Sequence, residues 1–146
     1  MKKQLISFVT VLSILISLAV WGSARNSFLL SVTIPFDFNV GKTILPAGQY
    51  RVGRDAAQGT LKISGVDVSA TVVSTTAPGT TSRRPMKAML IFHRYGDKHF
   101  LVQVWDGYST ESTSLPESRA EREARDKSKY LAQNGGEPEI VKVLAQ

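Results

Sequence analysis

Two histidines, His93 and His99, are the side chains of this protein best suited to acid–base or metal chemistry, and its 146 residues include no cysteine. A stable zinc site needs three or four ligands, and the sequence holds no further histidine or cysteine to complete one. A predicted two-residue turn at Gly96 and Asp97 pairs Arg94 with His99, so the two histidines fall on opposite faces of a hairpin. The sequence therefore predicts no metal site.

Catalytic and cofactor motifs are equally weak. A Ser-His-acid triad needs a positioned base, and the serines near either histidine lie outside any nucleophile-elbow pattern. Asp37 is the most conspicuous acid, and the alternation around it predicts an outward-facing side chain. Residues 40–43 match the end of a phosphate-binding loop, but Phe36 stands where that loop requires glycine. We therefore predict a non-enzymatic protein without a cofactor; the alternative is a hydrolase built on Asp37 or the histidines.

Four residues are candidates for ligand binding. Trp105 and Tyr108 lie three positions apart near a predicted strand end. Aromatic rings at such a place can stack on sugars or peptides, but they can equally pack at the edge of a core. For Trp105 the core interpretation is favoured. Arg83 and Arg84 lie in a long polar loop, and a pair of guanidinium groups can bind an anion, although solvated arginines are more common in such loops.

The elements that would position these residues are mostly strands, because short β-branched and aromatic runs alternate with turn residues. The strongest predicted hairpin spans 86–105, and apolar residues on both of its faces indicate a central, doubly covered pair. Its predicted register places Leu90 and Phe92 on one face and Val104 on the other. A second hairpin is predicted around Gly65, with strands at 60–64 and 66–74.

Near Pro116 the strand pattern of the sequence ends and a helical pattern begins. Residues 116–132 form the only predicted helix, with Pro116 near its first turn and acid–base pairs four residues apart, including Glu121 with Arg125. A last strand is predicted at 139–144. The fold class predicted from this pattern is all-β: an antiparallel β-sandwich or flattened barrel with one C-terminal surface helix.

The first 24 residues predict an export signal. Lys2 and Lys3 precede an uncharged apolar run, and Gly22 and Ala24 occupy the small-residue positions of a cleavage site. Cleavage after Ala24 would leave residues 25–146 as a single β-rich domain in the periplasm or outside the cell. The alternative is an uncleaved anchor, since the apolar run is close to the about 20 residues that span a bilayer.

Composition narrows the partners of this domain. The absence of cysteine excludes disulfides and favours a bacterial envelope over a disulfide-stapled extracellular setting. The formal charge of +6 is spread along the chain, so no nucleic-acid interface is expected. We expect envelope or extracellular proteins or polysaccharides as partners, with strand addition at a sheet edge as one route. Contact with the membrane is expected only through an uncleaved leader.

Four segments taken together resemble an uncharacterised family of small exported bacterial β-proteins. They are IPFDF at 34–38, LPAGQY at 45–50, FHRYGD at 92–97 and LPESRAERE at 115–123. The resemblance covers nearly all of the chain after the leader. It implies a signal peptide and a compact β-domain with a C-terminal helix, and it implies no activity and no catalytic or binding residues.

Overall fold

The structure, a computed structural model, describes residues 28–55, 57–80, 87–131 and 137–146, so the predicted leader lies outside the described residues. The described residues form eleven strands and one helix. In chain order these are β1 (Phe28–Ile34), β2 (Phe38–Val40), β3 (Thr43–Leu45), β4 (Gly48–Asp55), β5 (Thr60–Gly65), β6 (Thr71–Thr75), β7 (Ala77–Thr80), β8 (Met89–Tyr95), β9 (Lys98–Trp105), β10 (Glu111–Ser114), α1 (Arg119–Leu131) and β11 (Glu139–Leu144).

The strands form two sheets. The first has four antiparallel strands in the order β1-β4-β5-β6, and the second has seven strands, with β11-β8-β9-β10-β7 as its main path. The small hairpin β2–β3 joins the second sheet through a parallel pairing of β2 with β9. The predicted all-β, sandwich-like class with one C-terminal helix is confirmed.

The core lies between the two sheets, where alternate side chains of each strand point inward. Leu30, Val52 and Ile63 come from the first sheet, and Leu90 and Val104 come from the second. All five are buried, with at most 8% of their surface exposed. The sheets also join at one edge, where the Gln146 N–H donates to the Ser31 carbonyl at 2.8 Å.

The β8–β9 hairpin has the predicted two-residue turn, with Tyr95 opposite Lys98 and Gly96 at a φ of 63°. The predicted faces further along the hairpin are wrong. A β-bulge shifts the register beyond Phe92, which pairs with Leu101, whereas Ile91 pairs with Gln103. The extra residue on β9 brings Val104 opposite Leu90 and into the main core, because a one-residue shift turns each later side chain to the other face.

The helix covers the outer face of the second sheet, opposite the main core. It begins at Arg119, later than the predicted start at 116, because Ser118 is its N-cap: the Glu121 N–H donates to Ser118 Oγ at 3.1 Å. The predicted pairing of Glu121 with Arg125 is not observed, since Glu121 bonds to His93 on β8 instead. In the described part of the chain, no helix is long and apolar enough to cross a membrane.

The second predicted hairpin exists, but its return strand is shorter. β6 begins at Thr71 and not at 66, because the connection at 66–70 folds back tightly over Gly65. There the Gly65 N–H donates to the Ala70 carbonyl at 2.7 Å, and the Val66 N–H donates to the Gln49 carbonyl at 2.8 Å. The short strands β3, β7 and β10 were not predicted.

Gly65→Ala is expected to lower the free energy of unfolding by about 1–3 kcal/mol. A Cβ at position 65 would lie 2.2 Å from the Val68 carbonyl oxygen, so the connection to β6 would have to move. Gly48→Ala is the matched control, because its Cβ would meet no atom nearer than 3.5 Å. Chemical denaturation of both variants measures the difference, and equal stabilities would contradict the tight connection.

Candidate functional site

A cleft of about 350 Å³ lies between α1 and the outer face of the second sheet. His93 and Tyr95 line it from β8, where residues two apart share a face. Glu121 and Arg125 line it from α1, where residues four apart share a face. The cleft therefore collects an imidazole, a phenol, a carboxylate and a guanidinium from two elements that are distant in the sequence.

Glu121 and His93 form the central contact of the cleft. Glu121 Oε1 lies 2.9 Å from His93 Nδ1, and the Glu121 side chain is 6% exposed against 32% for His93. The backbone of Glu121 is held by the Ser118 cap at the same time. The pattern Ser118-x-x-Glu121 is that of a capping box, in which the acid normally returns to the N-cap N–H, but here the carboxylate bonds to the sheet.

Two ion pairs, both made by Glu117, flank this contact. Arg125 donates to Glu117 Oε1, and Arg122 Nε lies 3.7 Å from Glu117 Oε2. Burial raises the pKa of Tyr95, and the negative charges of Glu121 and Glu117 raise it further against an opposing effect of Arg125. The Tyr95 phenol therefore stays protonated at neutral pH.

The His93–Glu121 pair is a contact between the helix and the sheet. A carboxylate–imidazole pair orients the histidine in hydrolase triads, but apart from Tyr95 no hydroxyl side chain lines this cleft in the described part of the chain. The described residues also bring together no group of three His, Asp or Glu side chains able to hold a metal ion. What the pair does is fasten α1 to β8.

A recess of about 390 Å³ lies between the tip of the β8–β9 hairpin and the C-terminal part of α1. Tyr95, Ala124 and Leu131 supply its apolar surface, and Lys98 and Lys127 flank it. Both lysines are exposed, so their charges remain solvated. Asp97 lines the recess as well, so this surface groove carries charges of both signs at its border.

His99 lies on the other face of the hairpin, as the predicted register requires. Its ring stacks on Phe36 with centroids 3.9 Å apart and planes 16° apart. Burial lowers the pKa of His99, and the positive charge of Arg94 lowers it further. The His99 carbonyl accepts a hydrogen bond of 3.0 Å from Asn39 Nδ2, which ties β2 to β9. His99 is thus a neutral packing residue at neutral pH.

Of the residues proposed from the sequence for ligand binding, Trp105 and Tyr108 differ in exposure. Trp105 is buried, with 5% of its surface exposed, whereas Tyr108 is 79% exposed in the β9–β10 connection. Arg83 and Arg84 lie outside the described residues. Asp37, the acid of the alternative hydrolase, is exposed, and its Oδ1 accepts the Ala47 N–H at 2.9 Å, so it holds a loop.

Strand β6 lies at the edge of the first sheet, and among the described strands it pairs with β5 alone. It is the last strand in the order β1-β4-β5-β6, and its register with β5 places Lys62 opposite Val73. The Gly65 N–H donates to the Ala70 carbonyl, and the Thr76 N–H donates to the Gly59 carbonyl. The Ala70 carbonyl and the Thr76 N–H therefore face β5, whereas the Ala70 N–H donates to the Val68 carbonyl.

Hydrogen-bonded pairs alternate along an antiparallel ladder, so Val72 and Ser74 also direct their N–H and C=O groups toward β5. The intervening residues Thr71, Val73 and Thr75 direct theirs away from it. Among the described residues, no backbone hydrogen bond reaches these outward groups. The side chains of the same three residues are exposed, Val73 at 61%.

Three of the other sheet edges carry features that discourage pairing, as natural edges usually do. Glu139 and Lys142 place charges on β11, Pro78 removes a donor from β7, and Gln146 bonds to Ser31 of β1. β6, with the sequence TVVST, has neither a charge nor a proline. The edge strand β3, which pairs only with β2 among the described strands, also has neither a charge nor a proline, but it is three residues long. β6, with five residues, is therefore the longest uncharged edge for strand addition in the described part of the chain.

No protein-family model matches the chain, and neither a curated protein nor a solved structure matches it. Sequence reasoning missed two features of the structure, the contact of Glu121 with His93 and the free edge of β6. The capping-box spacing of Ser118 and Glu121 and the uncharged run at 71–75 were the available signals.

The His93–Glu121 contact is expected to give a coupling free energy of about 0.5–3 kcal/mol in a double-mutant cycle to alanine, because Glu121 is almost fully buried. The control is the exposed Arg119–Glu123 pair, 2.8 Å long, for which about 0.3–0.5 kcal/mol is expected. Urea denaturation of the single and double variants supplies both values. Equal coupling in the two cycles would contradict a role for His93 and Glu121 in holding the helix.

Stability is expected to fall as the pH drops below about 6.5, the ordinary pKa of histidine. Since the pKa of His99 is lowered in the folded protein, the unfolded chain binds its proton more readily and gains in relative stability at acid pH. The contribution of His99 to stability is fully present above that pH. Urea denaturation between about pH 5 and 8 should show a shallower pH dependence for His99→Gln, and an unchanged dependence would refute the assignment.

Proposed function

We propose that this chain is an exported, non-enzymatic β-domain that binds or assembles with protein components of the bacterial envelope through the edge of β6. The leader-like residues 1–24 and the absence of cysteine support the envelope setting. The observation that carries the binding role is the row of outward backbone groups at Thr71, Val73 and Thr75 on an uncharged strand.

Strand addition suits this edge physically. An extended segment laid along β6 would bond to three outward N–H groups and three outward C=O groups, of which the Thr75 carbonyl already accepts a hydrogen bond from Ser74 Oγ at 3.2 Å. Main-chain hydrogen bonds supply affinity in this mode of recognition. Side chains at alternate positions of the incoming segment would contact Val73 on one face of the sheet. Val72, half-buried at the margin of the core, would lie beside the incoming segment on the other face.

The contacts of the other candidate residues favour this proposal over its alternatives. His93 and Glu121 bond to each other across the helix–sheet boundary, and Asp37 bonds to the Ala47 N–H, so these groups already have structural partners. A polysaccharide platform would need exposed neighbouring aromatic rings. Trp105 is buried, which leaves Tyr108 as the exposed ring of the pair.

A photo-crosslinking residue placed at position 73 of the full chain is expected to give an adduct with a protein in a bacterial host. The matched control is position 140, because Ile140 is 60% exposed on β11 and Val73 is 61% exposed on β6. The adduct should require light and should be lost when Thr71 and Thr75 are both replaced by proline, which removes two outward donors.

Circular dichroism of the proline variant would verify that the fold is retained. Labelling of equal strength at positions 73 and 140, or none at position 73, would refute the proposed binding edge. An intact mass beginning at Arg25 is expected in the same preparation. A longer mass would support the uncleaved-anchor alternative and leave the edge proposal to be decided by the crosslinking.

A further inference from the structure

We propose that the partner of β6 is β6 of a second copy of this chain, paired antiparallel about a two-fold axis at Val73. The inference rests on the proposed function, since it names the occupant of the same edge. It joins the four-stranded sheets of two copies into one continuous sheet. Three features of β6 favour this pairing: its outward backbone groups lie at alternate residues, its sequence is nearly symmetric about Val73, and its side chains are uncharged.

The outward backbone groups belong to Thr71, Val73 and Thr75, and this spacing is symmetric about Val73. It is therefore compatible with a two-fold axis at Val73. In an antiparallel ladder, two strands pair when hydrogen-bonding residues lie directly opposite one another. With the axis at Val73, Val73 faces its own counterpart, and Thr71 of each copy faces Thr75 of the other. All three outward residues of β6 then meet an outward residue, and each of their N–H and C=O groups has a partner.

Other registers satisfy fewer groups. A shift by two residues places Val73 opposite Thr71 or Thr75 and leaves one outward residue of each copy without a partner. A shift by one residue places outward groups opposite Val72 or Ser74, whose backbone groups face β5. The centred register is therefore the most completely hydrogen-bonded pairing of two β6 strands.

The side chains are self-complementary in the same register. On the exposed face the central pair is Val73 with Val73, and it is flanked on both sides by Thr71 with Thr75. β-branched pairs and Thr–Thr pairs stabilise adjacent strands, whereas like charges directly opposite destabilise them. On the core face Val72 of each copy lies beside Ser74 of the other, which shields a residue that packs against the core.

The size of the contact sets its expected strength. A five-residue strand is about 17 Å long, and pairing along it buries less than the about 1,200 Å² of a standard stable interface. The self-association is therefore reversible, and a covalent trap is the appropriate probe. The chain has no native cysteine, so an introduced cysteine reports on its own position alone.

Val73→Cys in the full chain is expected to form a disulfide-linked dimer of twice the chain mass under mild oxidation. The Cα atoms of a hydrogen-bonded antiparallel pair lie about 5.5 Å apart, within the range for a disulfide. Ile140→Cys is the control, because it has the same exposure on the charged edge of β11, and at least tenfold less dimer is expected from it. Equal dimer yields would overturn the proposal, since they would reflect random collision.

The antiparallel register is tested by mixing two variants. Thr71→Cys and Thr75→Cys should each remain monomeric alone, because each residue lies four positions away from its own counterpart along the paired strands. Their mixture should form the disulfide-linked heterodimer. Crosslinking of Thr71→Cys with itself as efficiently as with Thr75→Cys would overturn the two-fold arrangement.

Val73→Lys tests the same contact without oxidation. Sedimentation of the cysteine-free chain is expected to show a mass that rises toward twice that of one chain with concentration, and Val73→Lys should abolish this rise by placing two ammonium groups opposite each other. Ile140→Lys should leave it unchanged. A mass independent of concentration, together with no disulfide at position 73, would overturn self-pairing.

Identification of the light-induced adduct at position 73 separates this inference from the proposed function. An adduct with a second copy of the chain supports both. An adduct with a different envelope protein overturns the self-pairing inference and leaves the binding role of the β6 edge intact. The absence of any adduct at position 73 overturns both.

Discussion

The packing of Phe38 between the two sheets is the contact on which the rest of the structure depends. Its ring meets Tyr50 of the four-stranded sheet edge-on at 5.2 Å and Phe92 of the larger sheet at 5.6 Å. All three rings are fully buried. Such pairs add about 0.5–1.5 kcal/mol to the burial of the rings, and they set the separation and alignment of the sheets.

Polar contacts fix the positions of Tyr50 and of the segment next to Phe38. The Tyr50 hydroxyl donates to the Pro46 carbonyl at 2.6 Å, and Asp37 accepts the Ala47 N–H. Burial and the charge of Asp37 raise the pKa of Tyr50, which keeps its hydroxyl a donor. The segments at 34–38 and 45–50 thus bond to each other, as those at 92–97 and 115–123 do through His93 and Glu121. Residues of these four sequence segments therefore make contacts that hold the fold together.

The backbone of β6 carries groups that remain available for binding a partner in the described part of the chain. His93 and Glu121 bond to each other, and Asp37 accepts the Ala47 N–H. Three residues of β6 present hydrogen-bonding groups without a backbone partner in the described part of the chain. An edge of this kind is a liability that proteins normally block. Its presence on an uncharged, β-branched strand, while three other edges are protected, supports the proposed role of β6 in association.

The sequence by itself determined the all-β class, the C-terminal helix and the tight turn of the β8–β9 hairpin. These follow from alternation, from helical spacing and from turn residues such as Gly96, which act over a few neighbouring positions. Tertiary structure alone decided the bulge that turns Val104 into the core, the contact of Glu121 with His93 and the order of the strands. Each of these depends on residues that are distant in the sequence, and competition among long-range pairings selects which strand becomes an edge. Local patterns therefore predicted strands, but only the packed sheets show that β6 lies at the edge of its sheet, paired with β5 alone among the described strands.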